Sequence, residues 1–584
     1  MRRIVLLVAI LFLLCGCSAG HDTDTIPVGI VEIPECTIVN NGRDVISGSS
    51  LSFEVKLKEG YALTGVDYQG RYRIRNEGES FWIDLEQVRY PTRLNLQISR
   101  TWCEMVFLPN GGEGEAVKLI RDLKYHSRPN TEPALFYRDG YTLVGWNSSP
   151  DGSGTKVGLG SRITAPSTGT VDLYAQWMKW SDETDFTYES GDTITITGYH
   201  GEQDTVVIPE QIEGKRITVI ASGAFQNCGA SHVILPGTVE IVEPGAFTDC
   251  DLEELTFFDN VESLPSDAFM GCDRLSTLHI NAKEQPYGYH YRRESLLADK
   301  LDLLILNQGQ RKIVFYGGCS MWYNLDGDQV QETFGENYRV INVAINGMIN
   351  SAVQMQIITA YLEEGDVFFH TPEIGSETQL MVEMGFTEDD GKLWCGLEYN
   401  YDLLTKVDLR QFPELLDSFQ QWRERKKTGG SYDEYYLDSE GRSYFDPVTG
   451  SIPFERYDQM EELADTVDLN PARLGKENMA RLESYYNAIA EKGVRIYLSH
   501  ACINVDAMPA EQSGSVRYMD ELFRKYTDKM ESVAVISYLG DYLYRNEDFY
   551  DTNYHLLSDV AQRNTAKWLR DLKQQMEQDG IWPD

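Results

Sequence analysis

Hydrophobic and polar positions change rhythm along the chain, and each rhythm predicts a different architecture. The chain begins with an unbroken apolar run from Ile4 to Leu14. Then Ser52-Phe53-Glu54-Val55-Lys56-Leu57 alternates with the period of two that a half-buried strand requires. Asn40-Asn41-Gly42, Gly48 and Gly60 punctuate this stretch as turns, so residues 21–100 read as a β-rich domain. In residues 184–280 the rhythm becomes a repeat: Ala224-Phe225, Ala246-Phe247 and Ala268-Phe269 recur every 22 residues. Cys228, Cys250 and Cys272 keep the same step, as do Ile220, Val242 and Leu264. A fixed period of this length predicts a solenoid with one strand per coil and a shared apolar core. The cysteines then become small core residues stacked on one another, with no ligand role.

From about residue 285 onward, short apolar runs alternate with helical ones. Lys312-Ile313-Val314-Phe315-Tyr316, Arg339-Val340-Ile341-Asn342-Val343 and Asp366-Val367-Phe368-Phe369-His370 read as buried strands. Ser351 to Leu362 and Asn478 to Glu491 read as helices, the latter leading into a further strand from Gly493 to Leu498. Such alternation predicts a parallel sheet covered by helices, with chemistry beyond the carboxyl ends of the strands. The fold class is therefore multidomain: β-rich N-terminal modules, including a repeat solenoid, followed by an α/β domain with a parallel sheet.

Two of these segments resemble known families. In residues 103–177, Asn110-Gly111-Gly112, Gly140-Tyr141-Thr142-Leu143-Val144-Gly145-Trp146 and Leu173-Tyr174-Ala175-Gln176-Trp177 resemble the internalin B-repeat, or Listeria–Bacteroides repeat. The resemblance implies a small β-grasp module, with Tyr141 and Trp146 as core aromatics. The Ala-Phe-x-x-Cys element of residues 184–280 resembles the BspA-like leucine-rich repeat. Three coils are few for a free-standing solenoid, so the stack is expected to be capped by its neighbours, leaving a β-face to bind a surface partner.

Charge and cysteine usage narrow the setting. The 584 residues carry a net charge of −39, which excludes nucleic acid as a partner and docking through a basic patch on anionic lipid. Met1-Arg2-Arg3 and the apolar run end in Leu14-Cys15-Gly16-Cys17, which resembles a lipobox. That resemblance implies a lipoprotein signal over residues 1–17, lipidation at Cys17 and a membrane contact made through the lipid anchor, outside the cytoplasm. Eight further cysteines are too sparse for a disulfide scaffold and lack zinc spacing, and neither metal nor cofactor is expected.

The candidate chemistry lies in residues 285–584. The first strand ends in Gly317-Gly318-Cys319-Ser320, a second turn carries Asn346-Gly347, and Asp551-Thr552-Asn553-Tyr554-His555 precedes a C-terminal helix. This order resembles the SGNH (GDSL-like) hydrolases. The resemblance implies Cys319 or Ser320 as nucleophile, with Cys319 favoured by the distance to Asp326. It implies His555 as base and Asp551 as its orienting acid, with Asp548 an alternative because the pair is spaced D-x-x-x-H. Gly347 and Asn346 become oxyanion donors. The family's third block is replaced by His370-Thr371-Pro372-Glu373-Ile374-Gly375, where Glu373 stands in a branch using a carboxylate. His370, His500 and Cys502 also end strands on this face and read as packing residues. Residues 405–490 read as an inserted, tyrosine-rich cap.

Two functions follow. One is an SGNH-like esterase or acyltransferase that acts on acylated extracellular glycan or wall polymer through a covalent acyl-enzyme. The other is a surface adhesion or scaffold protein whose SGNH-like domain is non-catalytic.

Overall fold

In the computed structural model the alternation around Phe53 is a strand, Ser49–Leu57, with Leu51, Phe53 and Val55 buried. The structure describes residues 25–39, 41–68, 72–77, 80–123, 128–166, 169–284, 296–335, 337–345, 350–374, 391–398, 400–424, 444–446, 448–452, 467–509, 515–531 and 533–582. These form two compact units, residues 1–100 and 101–584. In the first, two four-stranded sheets share one core, with Val28, Ile30 and Leu94 from one sheet meeting Phe53, Val55, Ile83 and Leu85 from the other.

The second unit begins with a five-stranded sheet built on Trp102–Leu108, Tyr141–Asn147 and Thr170–Lys179. Trp146 is fully buried, edge-on to Phe107 at 4.8 Å and to Phe136 at 5.9 Å. Tyr141 departs from expectation: it is half-buried, with the Arg138 guanidinium 3.8 Å over its ring. Gly145 sits at a register shift in its strand, where a Cβ would come within 2.9 Å of the Val157 carbonyl.

The 22-residue period becomes a stack of coils. Thr205–Val207, His232–Ile234, Glu254–Phe258 and Thr277–Asn281 pair in parallel. The repeated phenylalanines form a column, with Phe225 and Phe247 centroids 4.9 Å apart and Phe247 and Phe269 5.2 Å apart. The cysteines behave as packing residues with a weak donor. Cys250 Sγ donates to the Phe225 carbonyl at 2.8 Å and Cys272 Sγ to that of Phe247 at 2.9 Å. Hydrogen bonding to Cys228 and Cys272, then burial, push the Cys250 thiol up and keep it protonated. None of the eight described cysteines forms a disulfide.

The outer face of this stack is less open than its sequence suggests. Val206, Val233, Leu255 and Leu278 face the solenoid core, so Phe258 points the other way, and it joins the core of the preceding sheet with Trp146 and Leu159. Ala282 donates its N–H to the Leu159 carbonyl at 2.9 Å. What remains half-exposed on the outer face includes His232, Glu254 and His279, with His279 Nε2 2.9 Å from Glu254 Oε2.

The last segment contains a five-stranded parallel sheet. Its strands are β1 (Lys312–Gly317), β2 (Arg339–Asn342), β3 (Val367–Thr371), β4 (Arg495–Leu498) and β5 (Val533–Val535), in the order β2-β1-β3-β4-β5. Every residue of β1 and β3 is buried, as strands covered on both faces require. The chain order reverses between β1 and β3, and in such sheets that reversal opens a crevice at the carboxyl ends.

One apolar core runs from the solenoid into this sheet. Phe257 packs edge-on to Phe419 at 5.5 Å, and the Asp417 carboxylate accepts from Ser266 N–H and Oγ at 2.9 and 2.6 Å. The helical layer thus caps the short stack, as its length demanded. The preceding β-module is tied to helix α1 (Leu296–Leu306) by a buried ionic cluster. Arg162 Nη1 lies 2.6 Å from both Asp299 Oδ1 and Asp302 Oδ2, and Arg128 Nη1 lies 2.5 Å from Asp302 Oδ1. Among the described residues no helix is long and apolar enough to cross a membrane.

The Arg162 side chain has no exposure, so removing it strands two buried carboxylates beside one remaining cation. Arg162→Ala is expected to destabilise the second unit by about 3–5 kcal/mol in urea unfolding. A change below about 1 kcal/mol would mean the cluster behaves as a surface ion pair.

Candidate active site

Strand β1 delivers its chain to the crevice through Gly317-Gly318. A Cβ on Gly318 would lie 2.4–2.6 Å from the Glu373 carboxyl atoms, so only glycine lets that carboxyl rest on the backbone. The short helix α2 (Cys319–Asn324) starts immediately after. Its first residue, Cys319, is half-buried, whereas Ser320 is wholly buried. Ser320 Oγ donates to Glu373 Oε1 at 2.5 Å and Ser320 N–H to the same oxygen at 3.0 Å. Of the two nucleophile registers, the Ser320 hydroxyl is turned inward and committed to a carboxyl. Cys319 keeps access to the surface.

The second half of the site arrives more than two hundred residues later. A tight loop closed by pairing of Phe549 with Leu556 leads into the C-terminal helix α3 (Ser558–Gln578). Within it, His555 Nδ1 lies 2.7 Å from Asp551 Oδ1. A carboxylate accepts, so Nδ1 carries the proton and the Nε2 lone pair is left for another task. That Nε2 is buried with no hydrogen-bond partner among the described residues. The imidazole lies flat on Tyr323 of α2, centroids 3.6 Å apart and planes 12° apart. Asp548 does not take the Asp551 role: its carboxylate caps a short turn by accepting from Arg545 N–H.

Asn324 joins the halves. Its Nδ2 donates to the Tyr554 carbonyl at 2.8 Å and contacts Cys502 Sγ at 3.2 Å, while its Oδ1 accepts from Leu556 N–H at 2.8 Å. Thr565 of α3 donates to the Asn324 carbonyl at 2.8 Å and accepts from Asp326 N–H at 2.9 Å. Tyr323 and Asn324 are the positioning residues that sequence reasoning did not single out. The available signal was periodic: Tyr323 lies one helical turn after Cys319, on the same face.

A small cleft of about 10 Å³ opens beyond β3 and β4, lined by Pro372, Glu373, Ile374, Val467, Ala501, Cys502, Ile503 and Tyr554. It is mainly apolar, with one carboxyl. Burial pushes the Glu373 carboxyl up, opposed by its two bonds from Ser320 and by the charge of His555. Burial likewise pushes the Cys502 thiol up. His370 and His500 are packing residues. His370 Nδ1 meets the Tyr486 hydroxyl at 2.8 Å, and His500 Nε2 lies 3.3 Å from Asp520. Trp422, in the 405–490 segment, is buried against Phe419 and Trp394. Cys17, Asn346 and Gly347 lie outside the described residues. Among the described residues no group of three His, Cys, Asp or Glu could hold a metal ion.

Residues 204–292 match the family model of the BspA type leucine rich repeat region, in 6 copies. No curated protein matches the chain. The solved leucine rich repeat protein of T. pallidum, TpLRR, is similar over 17% of this chain and 71% of its own, at 19% identity and a TM-score of 0.13. A leucine-rich repeat protein from Bacteroides ovatus is similar over 17% of this chain and 42% of its own, at 17% identity and a TM-score of 0.12. The repeat segment is thus of the BspA type, and the chain has a leucine-rich-repeat signature consistent with a surface scaffold or adhesion role.

Two outcomes follow from the buried polar groups. Asn324→Ala leaves the Leu556 N–H and the Tyr554 carbonyl without their amide partner, at about 1–3 kcal/mol per stranded group. Urea unfolding should show that loss, and an unchanged midpoint would contradict the bridging role. His370 is held down to about 3 by burial, whereas the unfolded chain has an ordinary imidazole near 6.5. Below about pH 6.5 the unfolded state binds the additional proton, so stability is present above that pH and falls as acid is added, by up to about 1.4 kcal/mol per unit. His370→Gln should flatten that slope, and parallel slopes in both proteins would contradict it.

Proposed function

We propose that residues 285–584 form an SGNH-like acyl-transfer enzyme, an esterase or O-acyltransferase, carried by an envelope lipoprotein anchored through Cys17. The observation that carries the reading is His555: its Nδ1 is engaged by Asp551, its ring is stacked on Tyr323, itself one helical turn after Cys319, and its Nε2 is buried with no hydrogen-bond partner among the described residues. An imidazole held in one tautomer with its other nitrogen idle is the arrangement a general base requires.

Cys319 is the nucleophile in this reading. Its thiol gives its proton to His555 Nε2, and sulfur adds to the ester carbonyl. The imidazolium, stabilised by Asp551, then returns the proton to the departing alcohol. Water hydrolyses the thioester, or a sugar hydroxyl takes the acyl group. Ser320 is a positioning residue that holds Glu373 against α2. Asn346 and Gly347 are retained as proposed oxyanion donors. The substrate is an acylated extracellular glycan or wall polymer, since a tethered enzyme meets polymers at the surface, and no cofactor enters the scheme.

The BspA-type repeats favour a second reading, a surface scaffold or adhesin in which the half-exposed outer face with His232, Glu254 and His279 engages a surface protein. Turnover separates the two. The full chain should hydrolyse 4-nitrophenyl acetate and carry one acetyl group on Cys319 in intact-mass and peptide analysis. Cys319→Ala and His555→Ala should fall by about 10³-fold or more. Equal background rates in all three proteins would favour the scaffold.

A further inference from the structure

We infer that one end of the first unit, with Tyr90 and Ile46 at its tip, rests in the headgroup boundary of the membrane that holds the lipid anchor. The inference rests on the proposed lipidation of Cys17 and gives that anchor a second point of contact.

Strand pairing defines that end. The chain enters the unit through the strand Thr25–Ile30, whose first residue pairs with Ile46, the last residue of Arg43–Ile46. The strand Thr92–Arg100 runs parallel to the entry strand, with Thr92 beside Val28, so the Arg89-Tyr90-Pro91 turn before it lies at the entry end. The two turns are stitched together. Gly48 N–H donates to the Val88 carbonyl at 2.7 Å, and Ser47 Oγ donates to the Arg89 carbonyl at 3.4 Å. Thr92 Oγ1 donates to the Tyr90 carbonyl at 2.8 Å. These bonds fix the backbone of the tip and leave the Ile46 and Tyr90 side chains outside. The chain leaves the unit at Arg100, the far end of the same strand.

Apolar exposure is confined to this end. Among the described residues of the unit, three large hydrophobic side chains are exposed: Tyr90 at 76%, Ile46 at 53% and Tyr72 at 39%. Tyr72 opens the strand Tyr72–Glu77 and pairs with Leu85, close to the Val88 end of Ser80–Val88, so it too belongs to the entry end. The opposite end, where Lys58 and Glu59 precede the pairing of Tyr61 with Arg100, exposes charged side chains instead. A tyrosine, with an apolar ring and a polar tip, suits the boundary between acyl chains and headgroups, and an isoleucine beside it adds apolar area. Exposed charges of both signs flank the tip, among them Asp44, Glu86, Arg89 and Arg93, so the contact does not draw on a basic patch.

The length of chain between anchor and unit names the occupant. Seven residues separate Cys17 from Thr25. Even fully extended, that stretch reaches at most about 29 Å. A lipid on Cys17 therefore keeps the entry end beside the bilayer at a high effective concentration. Side chains too few to bind a membrane alone are then enough to hold an orientation. Charge does not oppose the contact. Residues 25–100 carry nine Lys and Arg against ten Asp and Glu, whereas the whole chain carries −39. The unit thus meets a membrane without the repulsion that the total charge would bring to an anionic surface.

The test compares the full lipidated chain with the double variant Ile46→Ser, Tyr90→Ser in phosphatidylcholine vesicles that contain a diazirine-bearing phosphatidylcholine. After irradiation and digestion, lipid adducts on the wild type should lie on peptides holding Ile46, Tyr72 and Tyr90, and not on the Lys58-Glu59-Gly60 turn. In the double variant, which still floats with the vesicles, those adducts should fall by about tenfold or more, because two large apolar contacts are removed. An anchored wild type with no adducts, with equal adducts at both ends, or with adducts that the double variant keeps, overturns the inference and leaves the anchor standing. A chain that carries no lipid on Cys17 and stays behind when the vesicles float overturns the anchoring reading itself. A dimer in detergent that the double variant turns into a monomer assigns the tip to a second copy of the chain and overturns the lipid assignment.

Discussion

Asn324 is wholly buried, and a buried amide must find partners inside the protein or destabilise the fold. It finds them on the loop that carries His555, through the Tyr554 carbonyl and the Leu556 N–H. Those bonds hold together pieces of chain separated by 232 residues. With them in place, Tyr323 meets the His555 ring. Without them, the end of β1 and the start of the C-terminal helix are two unrelated segments.

The placement of the crevice follows from the sheet. Reversal of strand order between β1 and β3 brings Gly317-Gly318 and Pro372-Glu373 side by side beyond the strand ends, where a carboxyl can rest on a glycine. The repeats and the β-module contribute rigidity. The solenoid shares its core with the α/β layer, and the Arg128 and Arg162 cluster fastens the β-module to α1. A stack too short to cap itself thus becomes one side of a larger unit, and part of its outer face is used internally through Phe258.

Local regularity was legible in the chain. Strict alternation located the strand around Phe53, the 22-residue step located the phenylalanine and cysteine columns, and buried apolar runs located β1 and β3. What escaped was decided by distant partners. Ser320 turns inward because Glu373 lies 53 residues away in sequence but in contact in space. Asn324 is an ordinary polar residue until the C-terminal loop arrives. Arg162 and Asp302, 140 residues apart, show no pattern that would pair them. Tyr141 stays half-buried, because Arg138 covers it where core would have been expected. Periodicity reports the neighbours of a residue along the chain, and these contacts are between elements.

The proposed acyl transfer requires Cys319 and His555 to act as one reactive pair. The direct measurement is the pH dependence of Cys319 alkylation by iodoacetamide, followed by peptide mass mapping, in the full chain and in His555→Ala. If the imidazole takes the thiol proton, alkylation of Cys319 is fast at neutral pH in the native protein, and in His555→Ala the profile moves toward alkaline pH with a slower neutral rate. Superimposable profiles in the two proteins would contradict the pairing, and with it the acyl-transfer reading of the site.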